Sequence, residues 1–162
     1  MITSIVAILA ALCASIAPGT TGWRFEKGNI CVLDQTTISD GVWRAAVAWS
    51  KAPDINLIWA RNCSAYPQSQ TITVTTSRWD ASTGCDVVTV AAYLGLVTKT
   101  AVRINLNCNT YAVEDRANLA AKPLGMAVGL AELTPGNPLT VMSSAWLPTD
   151  RDYQLVEQIY PW

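Results

Sequence analysis

Residues 120–132, AAKPLGMAVGLAE, constrain this chain more than any other stretch. They close a longer run, YAVEDRANLAAKPLGMAVGL, whose apolar residues recur at helical period. The glycines and leucines are spaced as in a helix that carries a metal site, yet no residue in the stretch is a good zinc ligand. Pro123 falls inside the pattern. A proline in a helix interior removes one hydrogen bond and clashes one turn back, at a cost of ~3 kcal/mol or more. The expectation is a kink around Leu119–Lys122, or a helix that restarts there.

The chemistry open to the chain is narrow. Its 162 residues include no histidine, the commonest general base and side-chain metal ligand. Catalysis would have to use carboxylates, lysine, hydroxyls or thiols. Apolar residues make up 51% and charged residues 14%, and the net charge is −1. That balance gives no electrostatic basis for nucleic acid or an anionic membrane surface as partner.

The N-terminus reads MITSIVAILAALCASIAPGTTG. The apolar run from Ile5 to Ala17 is short for a membrane span and is followed by small residues and a Pro-Gly turn, the shape of a secretory signal. Residues 1–22 are read as that signal, cleaved between Ala17 and Trp23. One domain over 23–162 and a secreted, extracellular protein follow from it. Membrane association is foreseen only through an uncleaved signal. Cys31, Cys63, Cys85 and Cys108 lie beyond it. An even count in an exported chain implies two disulfides, with three possible pairings. No CxxC spacing appears, which argues against a zinc–thiolate site.

The patterned segments have a definite order. NICVLDQT reads as a first strand. SDGVWRAAVAWSKAP reads as a helix, with Val42, Trp43, Ala46 and Val47 at helical spacing, Ser39 or Asp40 as cap, and Pro53 as its end. INLIWA is a second strand, and QTITVTTSRW alternates as a third. DVVTVAAYL, residues 86–94, and AVRINLN are two more, separated by GLVTK. The helix of the opening stretch follows, then a loop, TPGNPLT. The tail PTDRDYQLVEQIYPW is a last helix, with Thr149 as cap and Asp150 and Asp152 in its first turn. The sum is an α+β fold, a mixed five-stranded twisted sheet with about three helices. Trp43, Trp49 and Trp59 fall in core-like patterns. Trp23, Trp79, Trp146 and Trp162 do not; they could line a groove, but packing under loops is the preferred reading.

With these residues in view, the chain resembles the metzincin zinc endopeptidases, and within them the matrixins. That family carries H-E-x-x-H-x-x-G-x-x-H on a helix, followed by a Met-turn. Ala120, Ala121, Leu124, Gly125, Ala127, Gly129, Leu130 and Ala131 match the matrixin wording. TPGNPLTVMSS is similar to the approach to the Met-turn, with Met142 as its methionine. VWRAAVAWSKAPDINLIW and PTDRDYQLVEQIYP resemble the first helix with the second strand, and the last helix. The resemblance implies a zincin fold with a Met-turn. It also implies that Cys85 and Cys108 meet where the fourth and fifth strands run antiparallel at the sheet edge, leaving Cys31 with Cys63.

The departures fall on the chemical positions. Lys122 stands at the first ligand, Pro123 at the general base, Met126 at the second ligand and Glu132 at the third. Lysine at neutral pH has three donors and no lone pair. Thioether sulfur is a soft ligand, poor for zinc. Proline carries no base, and one carboxylate is not a site. The resemblance therefore implies a domain without zinc, without another cofactor and without protease chemistry, a pseudoprotease. Lys122 and Glu132 are expected to pair across the vacated position, with Met126 packed against Met142; the alternative is a Lys122 that points to solvent. In active members a peptide lies along the edge strand, a mode that needs no metal. Residues 86–94 would be that edge, taking a peptide or protein ligand, and the domain is expected to be a monomer. Two alternatives stand beside this one. The domain is purely structural, which a filled cleft or a bulged edge strand would favour, or it is a zinc metalloendopeptidase as the family label implies.

Overall fold

The computed structural model describes residues 19–108, 113–131, 141–142 and 147–161. Its elements are β1 (Asn29–Asp34), α1 (Ser39–Trp49), β2 (Asn56–Ala60), β3 (Thr71–Ser77), β4 (Asp86–Tyr93), β5 (Leu96–Asn105), α2 (Val113–Ala127) and α3 (Asp150–Ile159). The sheet order is β2-β1-β3-β5-β4. The first four strands are parallel, and β4 runs antiparallel to β5 at the edge. The inner strands earn their places through β-branched residues on the covered face: Ile30, Val32, Ile72, Val74, Val102 and Ile104 are all buried. Parallel neighbours need crossovers, and α1 supplies the one between β1 and β2. The architecture is α+β, with a mixed five-stranded sheet and three helices.

Two disulfides cross-link it, Cys31–Cys63 and Cys85–Cys108, with Cα–Cα distances of 6.0 and 5.6 Å. The second closes the open end of the β4–β5 hairpin, where Asp86 pairs with Ile104. Buried Asn105 organises the same end. Its amide accepts from the Trp79 N–H and donates to the carbonyls of Trp79 and Gly84. No helix among the described residues is long and apolar enough to cross a membrane. Residues 1–18 of the leader expected over 1–22 lie outside them.

Four local expectations are corrected. First, GLVTK does not separate β4 from β5; all but its glycine belong to β5. The turn is Leu94–Gly95, both left-handed, with φ 50° and 78°, a two-residue hairpin geometry that matches strand twist. Leucine is a poor residue for that turn, so the sequence did not mark it. Second, neither Ser39 nor Asp40 caps α1; Ile38 is the N-cap residue and no side chain caps it. Third, the core face of α1 is Val42, Ala45, Ala46 and Trp49, while Trp43 is 47% and Val47 46% exposed. Trp59 is only partly buried. Fourth, of the two expectations at Pro123 the restart is not found: α2 is one helix from Val113 to Ala127 with Pro123 inside it, held on both sides of the missing bond by the packing described next.

Candidate functional site

Helix α2 is positioned by close approach to α1. A Cβ on Gly41 would fall 2.6 Å from the Arg116 carbonyl, so the two backbones nearly touch. A Cβ on Gly125 would fall 2.5 Å from Trp49 Cζ2 and 2.9 Å from Met142 Sδ. Trp49 adds a buried hydrogen bond, its Nε1–H donating to the Ala121 carbonyl at 2.7 Å. Ala117, Ala120, Ala121 and Leu124 fill the rest of this face and are buried.

The end of α2 is fixed by Gly129. The Leu130 N–H donates to the Gly125 carbonyl and the Gly129 N–H to that of Met126. With φ +109° at Gly129, these form a Schellman ending that only glycine adopts without strain. Buried Tyr160 reinforces it: its hydroxyl donates to the Val128 carbonyl at 2.9 Å and accepts from the Phe25 N–H at 3.2 Å. Burial pushes the Tyr160 phenol well above the ordinary tyrosine range.

The sequence-singled residues fall around this helix end. Lys122 and Met126, one turn apart, are half-buried, and Pro123 is buried. Met142 is fully buried, with its sulfur under Gly125. The Asp152 carboxylate ties Met142's neighbour to α3: its Oδ2 accepts from the Val141 N–H and from the N–H and hydroxyl of Thr149. Glu132 lies outside the described residues, and so does its expected pairing with Lys122. Trp146 and Trp162 lie outside them as well.

Met126 lines a cleft of about 450 Å³ between α2 and β4, together with Val88, Val90, Leu130, Ala131 and Trp23. Among the described residues the edge strand β4 pairs only with β5, and Val88, Thr89 and Val90 bring it to this cleft. A register irregularity interrupts it between Ala91 and Ala92, leaving Asp86–Ala91 regular. The far wall is a strap that the sequence did not announce. The Thr21 N–H and hydroxyl donate to the Gly129 carbonyl, and the Ala131 N–H donates to that of Gly19. Arg24 then exchanges backbone hydrogen bonds with Gly95 and Val97 of the hairpin. These residues resemble the tail of a leader in composition, which hid their role. Trp23, read as packing under a loop, is part of this wall.

Among the described residues, no group of three or more His, Cys, Asp or Glu side chains is placed to hold a metal. A second buried carboxylate lies elsewhere. Asp34 at the end of β1 is 1% exposed. It accepts from the Thr36 N–H at 2.8 Å and from Trp59 Nε1 at 2.9 Å, with Arg61 3.8 Å away. Burial acts to raise its pKa, but hydrogen bonds from Thr36, Trp59 and Ser39 outweigh it and hold the carboxyl below its ordinary value. Every partner is supplied by the strand ends and the start of α1, so Asp34 serves as an internal clamp.

No protein-family model matches the chain, and no curated protein matches it. Solved structures do, among them "Structure of myroilysin" and "Crystal structure of myroilysin". The first aligns with a TM-score of 0.55 at 10% identity, covering 89% of this chain and 98% of that one. The second aligns at 0.52 and 11% identity, covering 86% of each. The chain shares the overall fold of these structures. At this identity the likeness shows the fold alone, and the coverage extends it over nearly the whole chain.

Proposed function

We propose that this chain is a secreted, matrixin-like metzincin domain that has lost protease chemistry and binds peptide or protein along β4. The observation that carries this reading is the contrast within α2. Its glycines and alanines make the close contacts and the helix ending that the fold needs, while Lys122, Pro123 and Met126 occupy the positions where the resembled family places two ligands and the base. An ammonium, a thioether and a proline ring do not fit zinc. No catalytic step is derived through a metal.

Two features support binding beside β4. Among the described residues no strand pairs with its outer edge, whose backbone groups can accept another strand, and the adjoining cleft is apolar, as side-chain pockets are. The two disulfides support an extracellular location. The strap contacts support cleavage of the leader at the early end of its range, before Gly19, since later cleavage would remove the Gly19 carbonyl that accepts from the Ala131 N–H.

A second reading, a purely structural domain, is favoured by the irregularity at Ala91/Ala92 and by the strap against Gly129–Ala131. The deciding experiment loads the purified protein with zinc, measures bound metal by elemental analysis, and assays cleavage of an unstructured protein. The expected result is no bound zinc and no cleavage. Stoichiometric zinc with chelator-sensitive cleavage would overturn the proposal. Titration of the isotopically labelled protein with casein-derived peptides then separates the two surviving readings: amide shifts confined to 86–91 support binding, and their absence supports the structural domain.

A further inference from the structure

The outer face of α1 carries exposed apolar side chains that line a groove. Trp43 and Val47 lie one turn apart and are each nearly half exposed. Leu147, 43% exposed, stands across from them, and Ala117 of α2 contributes to the floor of a groove of about 470 Å³. Half-exposed tryptophan beside aliphatic residues is the composition of binding hot spots and costs solubility when it has no purpose.

Charge decides what fits. Arg44 and Lys51 line the groove, and among the described residues no carboxylate does. Neither cation makes an ion pair among the described residues. Asp40, one turn before Arg44, is already engaged by Arg116 at 3.5 Å. The described lining therefore presents an apolar floor flanked by two positive charges, on a chain whose net charge is −1. A second copy docked about a two-fold axis would bring these cations toward their own counterparts. Two cations on a concave surface also fall short of the polybasic patch that a membrane surface demands.

We infer that this groove docks an acidic amphipathic segment of a partner protein, with aliphatic or aromatic anchors on the floor and carboxylates against Arg44 and Lys51. The geometry is that of a helix laid in a groove. It shares no residue with the cleft beside β4, so it stands whether or not that cleft binds peptide.

The test uses a fluorescently labelled synthetic helix with Leu and Phe on one face and Glu on its flanks, and a counterpart with Lys at every Glu. Binding to the full chain is followed by anisotropy at low and high salt. The expected result is about tenfold tighter binding of the Glu peptide at low salt, lost as salt rises. Val47→Glu should abolish it. The double variant Arg44→Glu/Lys51→Glu, at exposed positions that leave the fold alone, should reverse the preference toward the Lys peptide. Equal binding of both peptides, or indifference to the double variant, would overturn the inference. So would a mass that doubles with concentration and is halved by Val47→Glu, or adsorption to phosphatidylserine vesicles that outcompetes the peptide.

Discussion

The two faces of α2 obey different rules. The face toward α1 is set by distance: Gly41 and Gly125 let backbones and the Trp49 ring approach, and alanines fill what remains. The face toward the cleft carries Lys122 and Met126, both half-buried, flexible side chains that specify little. Core packing is intolerant of one extra methylene, whereas a partly solvated position accepts many residues. The packed face therefore keeps the wording of the resembled family, and the cleft face does not.

The sharpest break of this contrast is Gly125→Val. Its side chain has no room between Trp49 and Met142, so a loss of about 3 kcal/mol or more is expected, read as a shifted urea midpoint or failure to fold. The contrast is sharpened from the other side by restoring chemistry: Lys122→His, Pro123→Glu, Met126→His and Glu132→His together. If the cleft face is only a degenerate site on an intact scaffold, this variant should take up zinc by elemental analysis. Saturating metal should then stabilise it by about 3 kcal/mol at a hundredfold excess over Kd. A well-folded variant without zinc uptake would break the comparison.

Tyr160→Phe probes the ending shared by both faces. It strips partners from the Val128 carbonyl and the Phe25 N–H, and a loss of about 1–3 kcal/mol is expected. The wild type should also lose stability in alkali. A phenol held protonated in the folded state favours folding fully below the unfolded tyrosine value of about 10, and that advantage declines as pH rises beyond it. Urea midpoints at pH 8 and 11 should therefore converge for wild type and Tyr160→Phe. The smallest effect belongs to Lys122→Ala: within about 0.5 kcal/mol by thermal melt, because the position is partly solvated.

Much of this architecture was legible before any coordinates. Alternation in QTITVTTSRW and the helical period of residues 111–130 are direct consequences of side-chain geometry in strands and helices. What misled were residues whose local chemistry pointed the wrong way. Trp43 and Val47 outweigh alanine in any hydrophobic pattern, yet Ala45 and Ala46 face the core, because α2 comes too close there for anything larger. Pro123 signals a break, but tertiary packing on both sides carries the helix past one missing bond. The strap at Gly19–Arg24 left no signal, since its hydrogen bonds are all to partners more than seventy residues away.

The sequence by itself determined the order of elements, the even cysteine count beyond the expected leader, and the chemistry unavailable at Lys122, Pro123 and Met126, because these depend on residue type and short-range spacing. The cysteine pairing was implied by the family resemblance and is the one found. Only the tertiary structure decided which face of α1 is buried, why glycine stands at positions 41, 125 and 129, and which chain segment walls the cleft. Those are set by the approach of elements distant in sequence, and no local pattern encodes a distance between two backbones.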